Sequence, residues 1–107
     1  MDVDKIASEL LKMGTEWADK EAAASALEES RKSVRAQIAV SYVAEGNSAA
    51  ASELRAEAAP DYKAHITSMV NARKEANKAK VRFDVSKIKV DLYRSAEATR
   101  RAEANIR

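Results

Sequence analysis

The sequence predicts an all-α protein, a long antiparallel helical hairpin in which two long helices are joined by a short one. Three observations carry this expectation. Only two glycines and one proline occur in 107 residues, and a chain so poor in turn residues is mostly continuous secondary structure. Alanine, lysine, arginine and glutamate dominate, and all four are good helix formers. The composition, 46% hydrophobic and 34% charged, is that of long, coiled-coil-like helices. At this length one domain is expected, residues 1–107.

The first helix is expected from about residue 3 to 45. Val3, Ile6, Leu10, Met13, Trp17, Ala24, Leu27, Val34 and Ile38 follow a 3,4 spacing, the seam pattern of a coiled coil or bundle. Lys20, Arg31 and Ser41 are polar interruptions of that series. Asp2 and Asp4 stand where the helix dipole favours negative charge. Gly46-Asn47 is the stop signal, because glycine takes the left-handed conformation cheaply. A short helix is expected over 48–58, capped by Asn47 or Ser48. Its single large apolar residue is Leu54, and so short a helix is marginal alone. Pro60 suits the first turn of the next helix, expected over about 60–105. Each long helix would reach about 65 Å at ~1.5 Å per residue.

That last helix carries two apolar stripes. One is Val70, Val81, Val85, Ile88 and Leu92. The other is Met69, Ala76, Phe83 and Val90, seven residues apart, with Ala72, Ala79 and Tyr93 interleaved. At about 100° per residue they lie on nearly opposite sides. A lone hairpin covers one of them. The Met69/Ala76/Phe83/Val90 stripe is therefore expected to meet a second copy, giving a homodimer built as a four-helix bundle.

Charge is unevenly spread. Residues 1–29 balance at −5, residues 30–60 at +1 and residues 61–107 at +6, for a net charge of +2. An acidic helix beside a basic one would complete the hairpin internally. The same asymmetry would also serve an acidic partner or a nucleic acid. Two basic rows run along the last helix. Arg73, Lys80, Lys87, Arg94 and Arg101 recur every seven residues, at the flank of the Met69/Phe83/Val90 stripe. Glu9, Glu16, Glu21, Glu28 and Glu29 could face that flank across a seam. Lys78, Arg82, Lys89 and Arg100 form the second row, the better candidate for a surface touching phosphates or an acidic partner.

Nothing in the sequence has the form of an active site. No cysteine is present, which removes thiolate chemistry, disulfides and sulfur-ligated zinc. His65 is the one histidine and reads as a surface or edge residue. The serines lack glycine-flanked elbows or a phosphate loop. Glu28 and Glu29 are adjacent in a helix and point about 100° apart, so they do not converge. Trp17, Tyr42 and Tyr62 read as packing residues. Tyr93, near Lys89 and Arg94, is the one fragment resembling a base-stacking platform. No cofactor and no metal is expected. The acidic opening residues lack a signal-peptide pattern, and no apolar run nears the ~20 residues that span a bilayer. A cytoplasmic protein, bound to no membrane, is expected.

Four strings, EWADKEAAASALEE (16–29), RKSVRAQIA (31–39), NARKEANKAKVRFD (71–84) and EATRRAE (97–103), resemble small helical proteins encoded by tailed phages and prophages of proteobacteria. Their genes often lie near recombination or replication genes. The resemblance spans most of the chain and implies a bacterial host cell and an accessory role in phage DNA metabolism. It transfers no site residues. The expected function is a non-enzymatic accessory protein that binds a protein partner, DNA or RNA. Two alternatives are an inhibitor of a host nucleic-acid-targeting defence system, of the anti-CRISPR kind, and a structural coiled-coil assembly factor.

Overall fold

The computed structural model describes residues 2–106. They form four helical segments: α1 (Val3–Glu29), α2 (Arg31–Ala44), α3 (Ala49–Ala58) and α4 (Pro60–Ile106). The molecule is a rod of 87 × 20 × 15 Å. Most of its length is a two-helix hairpin of α1 against α4.

The antiparallel register is set by the pairs that cross it. Gly14 abuts Phe83, Lys20 approaches Glu75, Glu21 meets Arg73, and Leu27 meets His65. On α4 the half-buried or buried positions along this seam include Met69, Ala72, Ala76, Ala79, Phe83, Ser86 and Val90. On α1 they include Ile6, Leu10, Met13, Gly14, Trp17, Ala24 and Leu27. Only small side chains disappear completely: Ala24, Ala56 and Ala76 have no exposed surface and Ala79 almost none. Alanines in the middle of the seam let the two backbones come close. Toward the other end, Gly14 leaves room for the Phe83 ring; a Cβ there would stand 3.1 Å from it.

Each helix end has a chemical cause. The Asp2 carboxylate caps α1 by accepting from the Lys5 N–H at 3.1 Å. After α2 the chain makes a Schellman turn. Asn47 N–H donates to the Tyr42 carbonyl at 3.2 Å and Gly46 N–H to that of Val43 at 3.0 Å, with Gly46 at φ +99°. The Asn47 amide adds a third bond, to the Tyr42 carbonyl at 2.9 Å. Ser48 caps α3 by accepting from Ala51 N–H at 3.2 Å.

One expectation changes. The first helix is not continuous over 3–45: it breaks at Ser30. There the Leu27 carbonyl accepts from the Ser30 hydroxyl at 3.1 Å and from His65 Nε2–H at 2.9 Å. A carbonyl held by two side chains no longer belongs to the regular ladder, and the helix is interrupted at that residue. Leu54, the one large apolar residue of the short helix, is 70% exposed. α3 instead turns Ser52 and Ala56, followed by Ala59, inward, and Glu57 reaches Arg35 of α2 at 2.9 Å.

Candidate interaction surface

The arrangement of α4 decides what the rod can offer a partner. Its inward face is occupied. Phe83 stacks obliquely on Trp17, with centroids 6.3 Å apart and planes at 30°. Met69, Ala76 and Val90 lie along the same face. The stripe expected to meet a second copy is therefore the one that meets α1, because its alanines permit the closer helix approach. The opposite stripe is the bare one: Val70 is 57% exposed, Val81 60%, Val85 44%, Ile88 56% and Leu92 66%.

The first basic row lies beside the hairpin seam. Arg73 is its most engaged member. Its guanidinium donates to Glu28 at 2.9 and 2.6 Å and to Glu21 at 2.5 Å, bridging carboxylates about two turns apart on α1. These charge-assisted bonds hold the Glu28 carboxyl below its ordinary value and raise Arg73 further above its own. Lys80 stands 5.9 Å from the Trp17 ring centroid. Lys87 stands 4.5 Å from that of Phe83 and pairs with Asp84 at 3.3 Å. These lysines lie over the rings of the aromatic pair while keeping their charges in water. Farther along, Arg94 and Arg101 line a shallow depression with Val3, Tyr93 and Glu97. Tyr93 is thus near two arginines, yet among the described residues no second ring stacks with it to form a platform.

The second row is more interrupted than its spacing suggests. Lys78 pairs with Glu75 at 3.6 Å, Arg82 with Glu16 at 3.5 Å, and Arg100 with Glu97. Lys89 borders a small depression formed with Ile6, Glu9, Leu10 and Met13. Carboxylates spaced among these cations reduce the field a phosphate backbone would meet.

Sequence reasoning missed Lys74 and Asn77. With Val70, Lys78, Val81 and Arg82 they line an open groove on the outer side of α4. The signal was present for Lys74, since 74 and 78 precede Val81 and Val85 at the same 4,3,4 spacing; Asn77 lies beside that row. A second apolar patch lies at the α2–α3 end, where Val40 and Val43 are exposed beside Ala36 and Ala39.

Among the described residues, no helix is long and apolar enough to cross a membrane. No group of three or more His, Cys, Asp or Glu side chains is placed to hold a metal ion. No protein-family model, curated protein or solved structure matches the chain. Function is therefore read from its own geometry.

Proposed function

We propose that this chain is a non-enzymatic helical accessory protein that works by docking the outward face of α4 onto another protein chain. The observation that carries the reading is the bare row Val70, Val81, Val85, Ile88 and Leu92, opposite a seam that is already filled. Apolar side chains scattered singly over a surface are ordinary, but an aligned row, unbroken from Val81 to Leu92, marks an interaction site. The helix-in-groove and coiled-coil modes of recognition use anchors at this spacing. A homodimer, a protein partner or both would satisfy the row. The setting, phage recombination or replication in a bacterial cytoplasm, rests on the sequence resemblance.

Direct nucleic-acid binding is the second reading, favoured by the cluster of Lys74, Lys78 and Arg82 around Asn77. It ranks lower because Lys78, Arg82 and Arg100 already have carboxylate partners.

One set of measurements tests both. Light scattering at tens of micromolar and affinity capture from bacterial extract compare the wild type with Ile88→Glu/Leu92→Glu. The reading expects the wild type in a complex of defined stoichiometry, lost in the variant while far-UV circular dichroism keeps its helical signal. A wild type that is monomeric and takes up no stoichiometric partner rejects it. On a DNA column the protein is expected to elute at low salt. Strong retention, lost on replacing Lys78, Arg82, Lys89 and Arg100 by glutamine, would instead establish the phosphate surface.

A further inference from the structure

Resting on that docking reading, we infer that the occupant of the bare α4 stripe is a second copy of this chain, aligned parallel and in register. The stripe itself supplies the first argument. Val81, Val85, Ile88 and Leu92 are spaced 4, 3, 4, the alternation of the two core positions of a heptad. Val85 and Leu92 then occupy a, and Val81 and Ile88 occupy d. Phe83 and Val90 fall at f, the position farthest from this seam, in keeping with their packing against α1. One helix thus carries two seams, one already used within the chain and one open.

Charge at the flanks supplies the second argument and sets the direction. Arg82 and Lys89 lie on one side of the stripe at the e positions. Asp84 and Asp91 lie on the other at the g positions. In a parallel pair, g of one helix meets the following e of its neighbour. Asp84 then faces the other copy's Lys89, and by symmetry this happens twice. An antiparallel pair matches like with like. Asp84 would face the other copy's Asp91, and Arg82 its Lys89, so four flanking contacts would be repulsive. Carboxylates and cations on opposite flanks of one stripe are therefore complementary to a copy of themselves in only one direction. The present partners of these groups, Lys87 for Asp84 and Glu16 for Arg82, are exposed pairs of small energy, free to be shared.

Lys78 and Lys74, the preceding a and d positions, place one like-charged pair per layer at the upstream end. Their long stems carry the ammonium groups outward. The same lysines oppose a third or fourth strand, where more of them would converge, although the β-branched Val81 and Ile88 at d would on packing grounds admit more strands than two. Two α4 helices side by side, each with α1 on its far side, make a flat four-helix layer rather than a bundle round one shared core. The two α2–α3 ends then emerge at the same end of the rod and present the Val40/Val43 patch in duplicate.

The chain has no cysteine, so one introduced cysteine reports orientation cleanly. Position 95 is the next d. In the full chain, Ser95→Cys should form an interchain disulfide rapidly under mild oxidation, since its two copies face each other. In an antiparallel pair, position 95 would instead face position 78. Mixed Ser95→Cys and Lys78→Cys chains would then form the heterodisulfide in preference to either homodisulfide. A charge exchange gives the second readout. Asp84→Lys alone and Lys89→Asp alone should each weaken the dimer at least tenfold, and an equimolar mixture of the two should restore it. Far-UV circular dichroism checks that each exposed-site variant stays helical. Antiparallel cross-linking, or no rescue in the mixture, overturns the parallel inference and leaves the docking reading standing. A monomer that binds a different protein through Leu92 does the same. A monomer that binds nothing overturns both.

Discussion

Replacing Phe83 by alanine is the sharpest probe of which α4 stripe belongs to the hairpin. The ring packs on Trp17 at 6.3 Å, against Gly14, and under the Lys87 ammonium at 4.5 Å. Truncating a fully buried phenylalanine costs about 3–5 kcal/mol. Phe83 is half-buried, so its transfer and cavity contributions amount to about 2 kcal/mol. The ring pair adds about 0.5 kcal/mol. For a chain of about 100 residues each kcal/mol lowers Tm by about 4–8 °C, so the variant should melt about 10 °C or more below the wild type. Thermal unfolding followed by circular dichroism at two protein concentrations, about 100-fold apart, makes the measurement diagnostic. A contact inside the chain lowers Tm by the same amount at both concentrations. A contact between copies would make the loss grow with concentration, because association stabilises by mass action. A Tm drop below about 2 °C, or one that fades on dilution, would show that Phe83 does not sit in the α1–α4 seam.

Three further outcomes follow from individual groups. The Ser52 hydroxyl is fully buried and has no hydrogen-bond partner; Ser52→Ala should therefore stabilise by about 1 kcal/mol, read as a higher urea midpoint, and a lower midpoint would count against the packing of α3. Gly46→Ala should cost about 1 kcal/mol, because φ is +99° and nothing lies within 4 Å of the added methyl, so backbone strain alone sets the loss; an unchanged melting curve would contradict the left-handed turn. Glu28 is held below its ordinary value of 4.5 chiefly by hydrogen bonds from Arg73. Its contribution to stability is accordingly complete above that value and lost as pH falls through the lower folded-state value. Glu28→Gln should thus melt below the wild type at pH 7, with the gap closing below pH 4.5. A gap that persists at pH 2 would mean the effect is not electrostatic.

Much of the architecture was legible because it is written locally. Low glycine and proline content, the Gly46-Asn47 stop and the Pro60 start are properties of single residues and their neighbours, and they place the helix ends within a residue or two. The opposition of acidic α1 to basic α4 was legible as well: Glu21 and Glu28 are among the acids expected to face the first basic row, and both bind Arg73. The candidate surface was half legible. Both α4 stripes could be traced from spacing, but their assignment to the inside or the outside could not, since each is apolar and each runs at coiled-coil pitch. For the same reason Lys74, a polar member of the outer row, went unmarked, as did Asn77 beside it.

Periodicity and composition alone determined the helices, their order, the hairpin and the existence of two apolar faces on α4. The tertiary structure decided which face is spent inside the chain, through the small volumes of Ala76 and Ala79 and the fit of Phe83 beside Gly14. It also decided the break at Ser30, where His65, 38 residues away, captures the Leu27 carbonyl. Both outcomes turn on how closely distant segments approach in space. Steric fit of that kind is a property of the pair of helices, and neither helix carries it in its own pattern.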